Sequence, residues 1–354
     1  MKISQLDTPA LFVDIQAMQR NMDRINQVLT GTPMRLYPHY KSHKCPAIAK
    51  LQMQRGAGGI TCAKLGEAMD LCDAGITDIV IANQVVQAEK LPRLAQLAQK
   101  CHLTVCVDHM ENILALEKAM REQGSGKLRV LVEFEVGMKR CGVETFEEFL
   151  ALAKCIDQQP HLIFAGIQAY AGHLSHEENA QVRFEQIQQI EKRVAALKVY
   201  CEENSVPVTD VCGGSTGFAK DKPADTVYTQ VQFGSYLFMD RSFLPLDLDL
   251  EQALFVETTV LSVKADRIVV DCGVKTMTMD QSPPYFPDFP DAELTFSEEH
   301  TAIHIPNCGL KPGDRLRYIP GHCCTTINIF DKLAVVNGED VVDIWDITSR
   351  GKAQ

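Results

Sequence analysis

The stretch DIVIANQVVQAEKLPRLAQLAQKCHLTVCVDHMENILALEKAMREQGSGKLRVLVEFEV (78–136) decides the fold. It holds three apolar runs, DIVIANQ (78–84), LTVCVD (103–108) and LRVLVEFEV (128–136), separated by the helical patterns EKLPRLAQLAQKC and ENILALEKAMREQ. Nearly continuous apolar runs suit strands buried on both faces of a parallel sheet. Regular alternation of such strands with amphipathic helices predicts a parallel α/β fold.

The pattern extends in both directions. LFVDI (11–15), MRLYPHYK (34–41), GITCA (59–63), LIFAGIQAY (162–170), VTDVCGG (208–214) and QVQFGSYLF (230–238) read as further strands. AMQRNMDRINQVL and the long EENAQVRFEQIQQIEKRVAALKVYCEEN read as further helices. Eight or so units over about 235 residues fit a (β/α)8 TIM-like barrel better than an open sheet. After residue 245 the pattern changes. ALFVETTVLSV, DRIVVDCGV, DRLRYIPGHCCTTINIF, KLAVVNG and DVVDIWDITSRG read as short strands without intervening helices. The expected organisation is a barrel over 8–245 and a mostly β domain over 246–354, with residues 1–7 placed with the latter. QSPPYFPDFPDAE (281–293), rich in proline and acid, reads as a loop.

Bulk composition narrows the function. The 354 residues exceed one average domain and fall short of three. Apolar residues make up 45%, enough for a sizeable core. A formal net charge of -11 argues against nucleic acid and anionic membrane surfaces as partners. A small anionic ligand would need a locally positive pocket. The 13 cysteines, an odd number without repeating spacing, do not read as a disulfide scaffold. The opening MKISQLDTPALFVD lacks the apolar region of a signal peptide. No apolar run approaches the roughly 20 residues of a membrane span. A cytoplasmic protein with reduced thiols is expected.

Six segments could carry chemistry. RLYPHYKSHKCP (35–46) puts Lys41 at the end of a predicted strand, and carboxyl-terminal strand ends of a barrel face its active site. A lysine held rigidly and partly desolvated there can carry a carbonyl cofactor; the plainer reading is a surface lysine in a basic turn. CGGSTGF (212–218) offers Gly213, Gly214, Ser215 and Thr216 as an anion-binding turn. FGSY (233–236), with Gly234, Ser235 and Tyr236, adds a second small-residue turn at the next strand. Many such turns bind nothing, but two at consecutive strand ends suggest a phosphate cup. VGMKRCGV (136–143) places Arg140 beyond another strand, where it can hold an anionic or phenolic oxygen or simply face solvent. QAYAGHLSH (168–176) supplies Tyr170, which can stack on a flat cofactor, and His173 and His176, either of which can act as a general base or be a surface or capping residue. PGHCCTTIN (320–328) contains His322 and Cys324 as an H-x-C pair. In an extended segment the two side chains share one side and could ligate zinc, while Cys323 points to the other side and packs. Two ligands leave room for water or substrate, as at a catalytic metal.

Together these segments resemble the D-threonine aldolase and D-serine dehydratase family of pyridoxal-phosphate enzymes, which have the alanine-racemase-like fold. The resemblance runs from LDTPALFVD (6–14) to WDITSRGK (345–352). PHYKSHK matches the family's lysine motif, which implies that Lys41 carries the cofactor and that Lys44 is the second, non-bonded lysine. MKRCGV implies that Arg140 faces the cofactor's phenolic oxygen. Tyr170 and His176 match the aromatic and the general base, and CGGSTGF and QFGSYLFMD the phosphate-side turns. DCGVKTMTMD (271–280) and SEEH (297–300) match the β domain, and PGHCCTTIN the metal segment. IQAYAG, FGSYLFMD, PGHC and the RGK tail are most similar to the bacterial 3-hydroxy-D-aspartate aldolases. Those aldolases usually carry aspartate where this chain has Cys324, whereas cysteine is similar to the zinc-dependent D-serine dehydratases.

The resemblance therefore implies pyridoxal phosphate, a divalent metal (zinc favoured by the thiolate, with manganese or magnesium as alternatives) and a small D-amino acid with a β-hydroxyl. In an aldolase, His176 accepts the hydroxyl proton and the Cα–Cβ bond breaks to leave glycine and an aldehyde. In a dehydratase, Lys41 removes the Cα proton, the metal draws off the hydroxyl, and ammonia and a 2-oxo acid follow. The aldolase is the leading reading because His176 and its surroundings match that branch. A cofactor-handling protein without the β domain and a racemase fit the motifs less well. A homodimer is expected by resemblance. The sequence does not say whether His322 and Cys324 serve their own barrel or a partner's, and Lys64 and Lys139 are both candidates for an extra cation facing an acidic substrate.

Overall fold

A computed structural model describes residues 1–124, 126–220 and 226–354. β1 (Ala10–Asp14) runs directly into α1 (Ile15–Leu29). The repeating region follows: β2 (Arg35–Leu36), α2 (Pro46–Gln54), β3 (Ile60–Cys62), α3 (Leu65–Asp73), β4 (Asp78–Gln84), α4 (Leu91–Leu97), β5 (His102–Val107), α5 (Met110–Gln123), β6 (Leu128–Glu133), α6 (Phe146–Asp157), β7 (Leu162–Ala169), α7 (Ala180–Glu203), β8 (Asp210–Gly213) and β9 (Gln230–Val231). The described chain divides into two compact units. One comprises Ile25–Lys41, Ile48–Gly234 and Lys352–Gln354, and the other Met1–Arg24, Ser42–Ala47 and Ser235–Gly351.

In the first unit β2 to β9 form one parallel sheet in the order β2-β9-β8-β7-β6-β5-β4-β3. Its two ends meet. His39 bridges Thr61 in parallel, and the N–H groups of Gly58 and Thr61 donate to Leu36 O and Pro38 O at 2.9 and 3.0 Å. The expected (β/α)8 barrel is present. Apolar residues of both parities are buried along its strands: Ile79, Val80 and Ile81 on β4 and Val130, Leu131 and Val132 on β6 are each 2% exposed or less. One parity meets inside, where Tyr37, Val80, Cys106, Leu131, Ala165 and Cys212 form a cluster. The other parity lies on the opposite face of each strand. This is why the sequence shows continuous apolar runs and not alternation.

β7 contains a local irregularity. Val130 pairs with Phe164 but Leu131 with Gly166, so Ala165 is an extra residue in the ladder. Gly166 has φ +141°, and a Cβ there would overlap the carbonyl oxygen of Asp210 on β8.

The second unit contains β10 (Leu254–Val263), β11 (Ile268–Val270), β12 (Glu293–Phe296), β13 (Thr301–His304), β14 (Arg315–Tyr318), the short helix α8 (Cys323–Ile327), β15 (Lys332–Asn337) and β16 (Asp340–Asp346). Its sheet runs β12-β13-β11-β10-β1-β15-β16, with β14 also paired to β10. The mostly β character of the C-terminal region is as expected, and of the expected loop 281–293 all but Glu293, which begins β12, is irregular apart from a bridge between Tyr285 and Ile319.

Two local expectations are corrected. LFVDI, read as the first strand of the barrel series, pairs instead with β10 antiparallel and β15 parallel. A short apolar run states that a strand is buried on both faces, not which strands it will join. DRLRYIPGHCCTTINIF is not continuously extended: β14 ends at Tyr318, and Cys323 begins a helix. The β-branched Thr325, Thr326 and Ile327 favour a strand locally. The buried Asp240 carboxylate overrides them by accepting the Cys323 N–H at 2.6 Å, satisfying a donor at the helix start. No helix among the described residues is long and apolar enough to cross a membrane, and no cysteine is placed in a disulfide.

Two substitutions test this account. Gly166→Ala should cost roughly 2 kcal/mol or more through backbone strain and overlap, seen as a lower urea midpoint at unchanged slope. Glu191, on α7, is 7% exposed and accepts bonds from the Thr226 hydroxyl at 3.1 Å and the Val227 N–H at 3.4 Å. Burial lifts its carboxyl from 4.5 to about 7, against the pull of those two donors. A raised acid leaves the fold most stable below the unfolded value, and that stability is lost as pH rises through the folded one. Glu191→Gln should therefore stabilise by up to roughly 3 kcal/mol at pH 8 and by nothing at pH 4, measured by denaturant titration.

Candidate active site

The strand pairing of β2 continues past Leu36. The N–H groups of Tyr37 and His39 donate to Val231 O and Phe233 O at 2.8 and 2.9 Å. The chain then turns sharply over Tyr40–Ser42 with Lys41 at its centre, and the Lys41 N–H lies 3.3 Å from His39 Nδ1. Lys41 opens onto a cavity of about 160 Å³ whose walls include Asn83, Arg140, Cys141, Gln168, Tyr170 and Gln232. These residues lie at or just beyond the carboxyl ends of β4, β6, β7 and β9, which is where a barrel gathers its chemistry.

Within the cavity the Tyr170 ring is the common neighbour. Lys41 Nζ lies 5.7 Å from its centroid and the Arg140 guanidinium 5.6 Å. Both are within range of cation–π attraction. Arg140 is also 3.8 Å from Glu133 Oε1 on β6, and its backbone N–H donates to Glu135 Oε2 at 3.2 Å. Glu133 is 6% exposed, and its second oxygen accepts from Gln84 Nε2 at 2.6 Å. Burial pushes this carboxyl above its usual range, while Gln84 and then Arg140 pull it back. Gln168 and Gln232 are buried and exchange two amide bonds of 3.0 and 3.1 Å.

Sequence reasoning missed Gln84, Glu133, Gln168 and Gln232. Gln168 and Gln232 open the segments QAYAGHLSH and QFGSYLFMD without a role assigned to them there, and Gln84 and Glu133 lie in no motif. Each is nonetheless a polar residue interrupting an otherwise apolar strand near its carboxyl end, and that break in the pattern is the signal that could have found them.

The CGGSTGF turn follows β8. Gly214 has φ +72°, and added Cβ atoms would come 2.6 Å from the Tyr228 ring at Gly213 and 2.5 Å from Ser175 O at Gly217. The turn is thus pressed against its neighbours where only glycine fits. The hydroxyls of Ser215 and Ser175 are buried without a hydrogen-bond partner in the protein, and Thr216 is buried beside Ser215. Two orphaned hydroxyl donors at a glycine-built turn fit an anionic group such as a phosphate. With a lysine, an aromatic ring and an arginine in one cavity of this unit, the residues present fit pyridoxal phosphate. The second small-residue turn is divided: Gly234 ends the barrel unit, while Ser235 and the buried Tyr236 begin a 3-10 turn in the other.

The two histidines of QAYAGHLSH separate. His173 is exposed and abuts Gly137, its N–H directed to Met138 Sδ at 3.1 Å, and partial burial lowers its imidazole. His176 is half-buried in the turn before α7, and it is not among the residues lining the Lys41 cavity.

The structure brings His322 and Cys324 together, but not as expected. His322 is the extended residue before α8 and Cys324 lies in the helix. His322 Nδ1 meets Asp280 Oδ2 at 2.6 Å and the ring also hydrogen-bonds Cys324. Burial lowers the imidazole, but Cys324 and Asp280 outweigh it and lift it to about 9. Cys324 Sγ lies 3.4 Å from Ser42 Oγ, and Cys323 is fully buried, as its packing role required. Among the described residues no group of three or more His, Cys, Asp or Glu is gathered for a metal. An imidazole oriented by a carboxylate and set beside a thiol still matches a two-ligand metal site whose histidine is held from behind.

Comparison with known proteins agrees with this geometry. The family description "Alanine racemase, N-terminal domain" matches residues 13–242, and "Putative serine dehydratase domain" matches residues 253–336. The chain is 37% identical over 359 residues to a D-threonine aldolase of Arthrobacter sp, covering 99% of this chain and 94% of that one. It is 33% identical over 369 residues to a 3-hydroxy-D-aspartate aldolase of Paracoccus denitrificans (strain Pd 1222), again covering 99% and 94%. The crystal structure of a D-threonine aldolase from Filomicrobium marinum superimposes with a TM-score of 0.95 at 33% identity, covering 100% of this chain and 98% of that one. A barrel with a lysine at its carboxyl-terminal rim, a β domain with a histidine–cysteine pair, and end-to-end similarity of this degree place the chain in the alanine-racemase-like family of the D-threonine aldolases.

Proposed function

We propose that the chain is a carbon–carbon lyase dependent on pyridoxal phosphate and a divalent metal. It cleaves D-threonine or 3-hydroxy-D-aspartate between Cα and Cβ to give glycine and an aldehyde. The observation that carries this reading is the cavity in which Lys41 and Arg140 both approach the Tyr170 ring. The named aldolases to which the chain is similar over nearly its whole length support the reaction class.

Bound there, pyridoxal phosphate supplies an electron sink for the charge left at Cα when the bond breaks. Lys41 carries it, Tyr170 stacks against its ring, and Arg140 donates charge-assisted hydrogen bonds to its phenolic oxygen. Gly213, Gly214, Ser215 and Thr216 hold its phosphate through backbone N–H groups and hydroxyls, and the resemblance assigns Gly234, Ser235 and Tyr236 to the phosphate side as well. Glu133, itself held by Gln84, keeps the Arg140 guanidinium directed. His322 and Cys324 bind the metal, a Lewis acid for the β-hydroxyl, and Asp280 fixes the imidazole. His176 takes the hydroxyl proton. In this reading 8–245 carries the cofactor and 246–354 the metal, and the protein is a cytoplasmic homodimer.

Cys324 supports a second reading. A thiolate favours zinc over magnesium or manganese; His322 and Cys324 would then hold a Lewis acid for the β-hydroxyl of D-serine or 3-hydroxyaspartate while Lys41 takes the Cα proton, and loss of water followed by hydrolysis of the enamine would give a 2-oxo acid and ammonia.

Three measurements test the proposal. Purified protein with pyridoxal phosphate and zinc or manganese should release glycine from D-threonine or a D-3-hydroxyaspartate, resolved by mass spectrometry. Pyruvate from D-serine, or oxaloacetate from hydroxyaspartate, without glycine would replace the aldolase by the dehydratase. Lys41→Ala should abolish the visible absorbance of the cofactor-loaded protein and prevent borohydride from fixing the cofactor on the peptide. His176→Ala should lower glycine release about 100-fold or more while leaving that absorbance unchanged, as removal of a general base predicts; an unchanged rate removes His176 from the mechanism.

A further inference from the structure

The loop 136–142, just beyond β6, carries Arg140 and lies wholly within the barrel unit. Backbone bonds close its neck: the Glu135 N–H donates to Val143 O and the Val143 N–H to Glu133 O, both at 2.9 Å. Charged side chains hold the rest. The Glu135 carboxylate folds back onto the loop, one oxygen accepting the Gly137 N–H and the other the Arg140 N–H, the latter at 3.2 Å. Arg193, on α7, spans the neck: Nη1 donates to Glu135 O at 3.0 Å and Nη2 to Glu144 O at 2.8 Å. Its guanidinium also stands 4.5 Å from the Phe134 ring centroid. Asp108 Oδ2 accepts the Gly142 N–H at 3.0 Å, and the His173 ring packs so closely on Gly137 that a Cβ there would come within 2.7 Å.

The two glutamates around Arg140 therefore have different duties. Glu133 faces the guanidinium, whereas Glu135 holds the backbone of the same residue. Glu135 is not among the residues lining the Lys41 cavity, and both its oxygens are engaged by the loop, so it is not placed to touch a substrate. Lys139, next to Arg140, has φ +50°. A residue with a Cβ keeps that left-handed conformation only where its surroundings impose it. A guanidinium that must meet one oxygen of a bound group needs its own backbone fixed to within roughly 0.5 Å.

We infer that Glu135 and Arg193 are positioning residues: they brace the loop that aims Arg140 into the Lys41 cavity. The effect on the cofactor rests on the place given to Arg140 under the proposed function; the bracing itself does not.

Two readouts test it: the pH midpoint of the visible absorbance of the cofactor-loaded protein, and deuterium exchange of the 136–143 peptide in the cofactor-free protein. A cation beside the phenolic oxygen disfavours the protonated, positively charged linkage between lysine and cofactor, so Arg140→Ala should raise the midpoint by about one pH unit. Glu135→Ala deletes a negative charge and through its field alone would lower the midpoint. By letting Arg140 drift it should instead raise it, by about half a pH unit or more. Arg193→Lys keeps the charge but loses the fork that spans two carbonyls, and should shift the midpoint the same way. Adding Glu135→Ala to Arg140→Ala should give no further rise, because the first acts through the second. Exchange over 136–143 should quicken about tenfold or more in Glu135→Ala, with other peptides unchanged. Should Glu135→Ala fail to fold, Glu135→Gln, whose amide sets a donor against one of the two loop N–H groups, carries the test with the exposed Arg193→Lys. The inference is overturned if exchange is unchanged, or if the midpoint falls or stays still in these variants while Arg140→Ala raises it. A midpoint unmoved by Arg140→Ala itself would instead remove Arg140 from the cofactor, and faster exchange in Glu135→Ala would leave the bracing standing.

Discussion

A parallel sheet of eight short strands has two edges that must be satisfied, and here each edge satisfies the other. The bonds from Gly58 and Thr61 to Leu36 and Pro38 join β3 to the segment after β2, so no edge of the barrel sheet is left as a template for other chains. Closure also has a functional consequence. Because all eight strands run the same way, their carboxyl ends form one rim, and the residues that end them converge without being near in sequence. Lys41, Asn83, Gln168, Tyr170 and Gln232 share one cavity for that reason. A misplaced register in any strand would carry its terminal residue to the other face.

Polar groups at that rim are not isolated. Gln84, Glu133 and Arg140 form a chain of contacts from a half-buried amide through a buried carboxylate to a half-exposed guanidinium, and Gln168 and Gln232 satisfy each other. Buried polar groups that are paired hold a unique arrangement, whereas unpaired ones invite a ligand. The protein shows both kinds. The glutamine pair is complete, while the hydroxyls of Ser215 and Ser175 are not.

The metal segment rests on a different device. Asp240, 1% exposed, accepts the N–H and hydroxyl of Ser242 and the N–H of Cys323. One buried carboxylate thereby fixes the start of α8, and with it the spacing between His322 and Cys324. An extended H-x-C would place both side chains on one face by simple alternation; the observed turn reaches proximity through a helix start. Asp280 on His322 then sets the ring.

The sequence by itself determined the barrel, the change to a mostly β C-terminal region, and three residues singled out for the site that line the Lys41 cavity: Lys41, Arg140 and Tyr170. These were legible because burial on both strand faces and the glycine- and lysine-bearing turns are properties of consecutive residues. Only the tertiary structure decided that LFVDI joins β10 and β15, since a buried strand looks alike whatever it pairs with. Only it decided that Cys323–Ile327 is a helix, because the carboxylate that starts it comes from Asp240, 83 residues away in the chain. Likewise, no local pattern sets Glu133 beside Arg140, or pairs Gln168 with Gln232. Those are relations between distant strands, fixed by register and closure, and a linear pattern does not contain them.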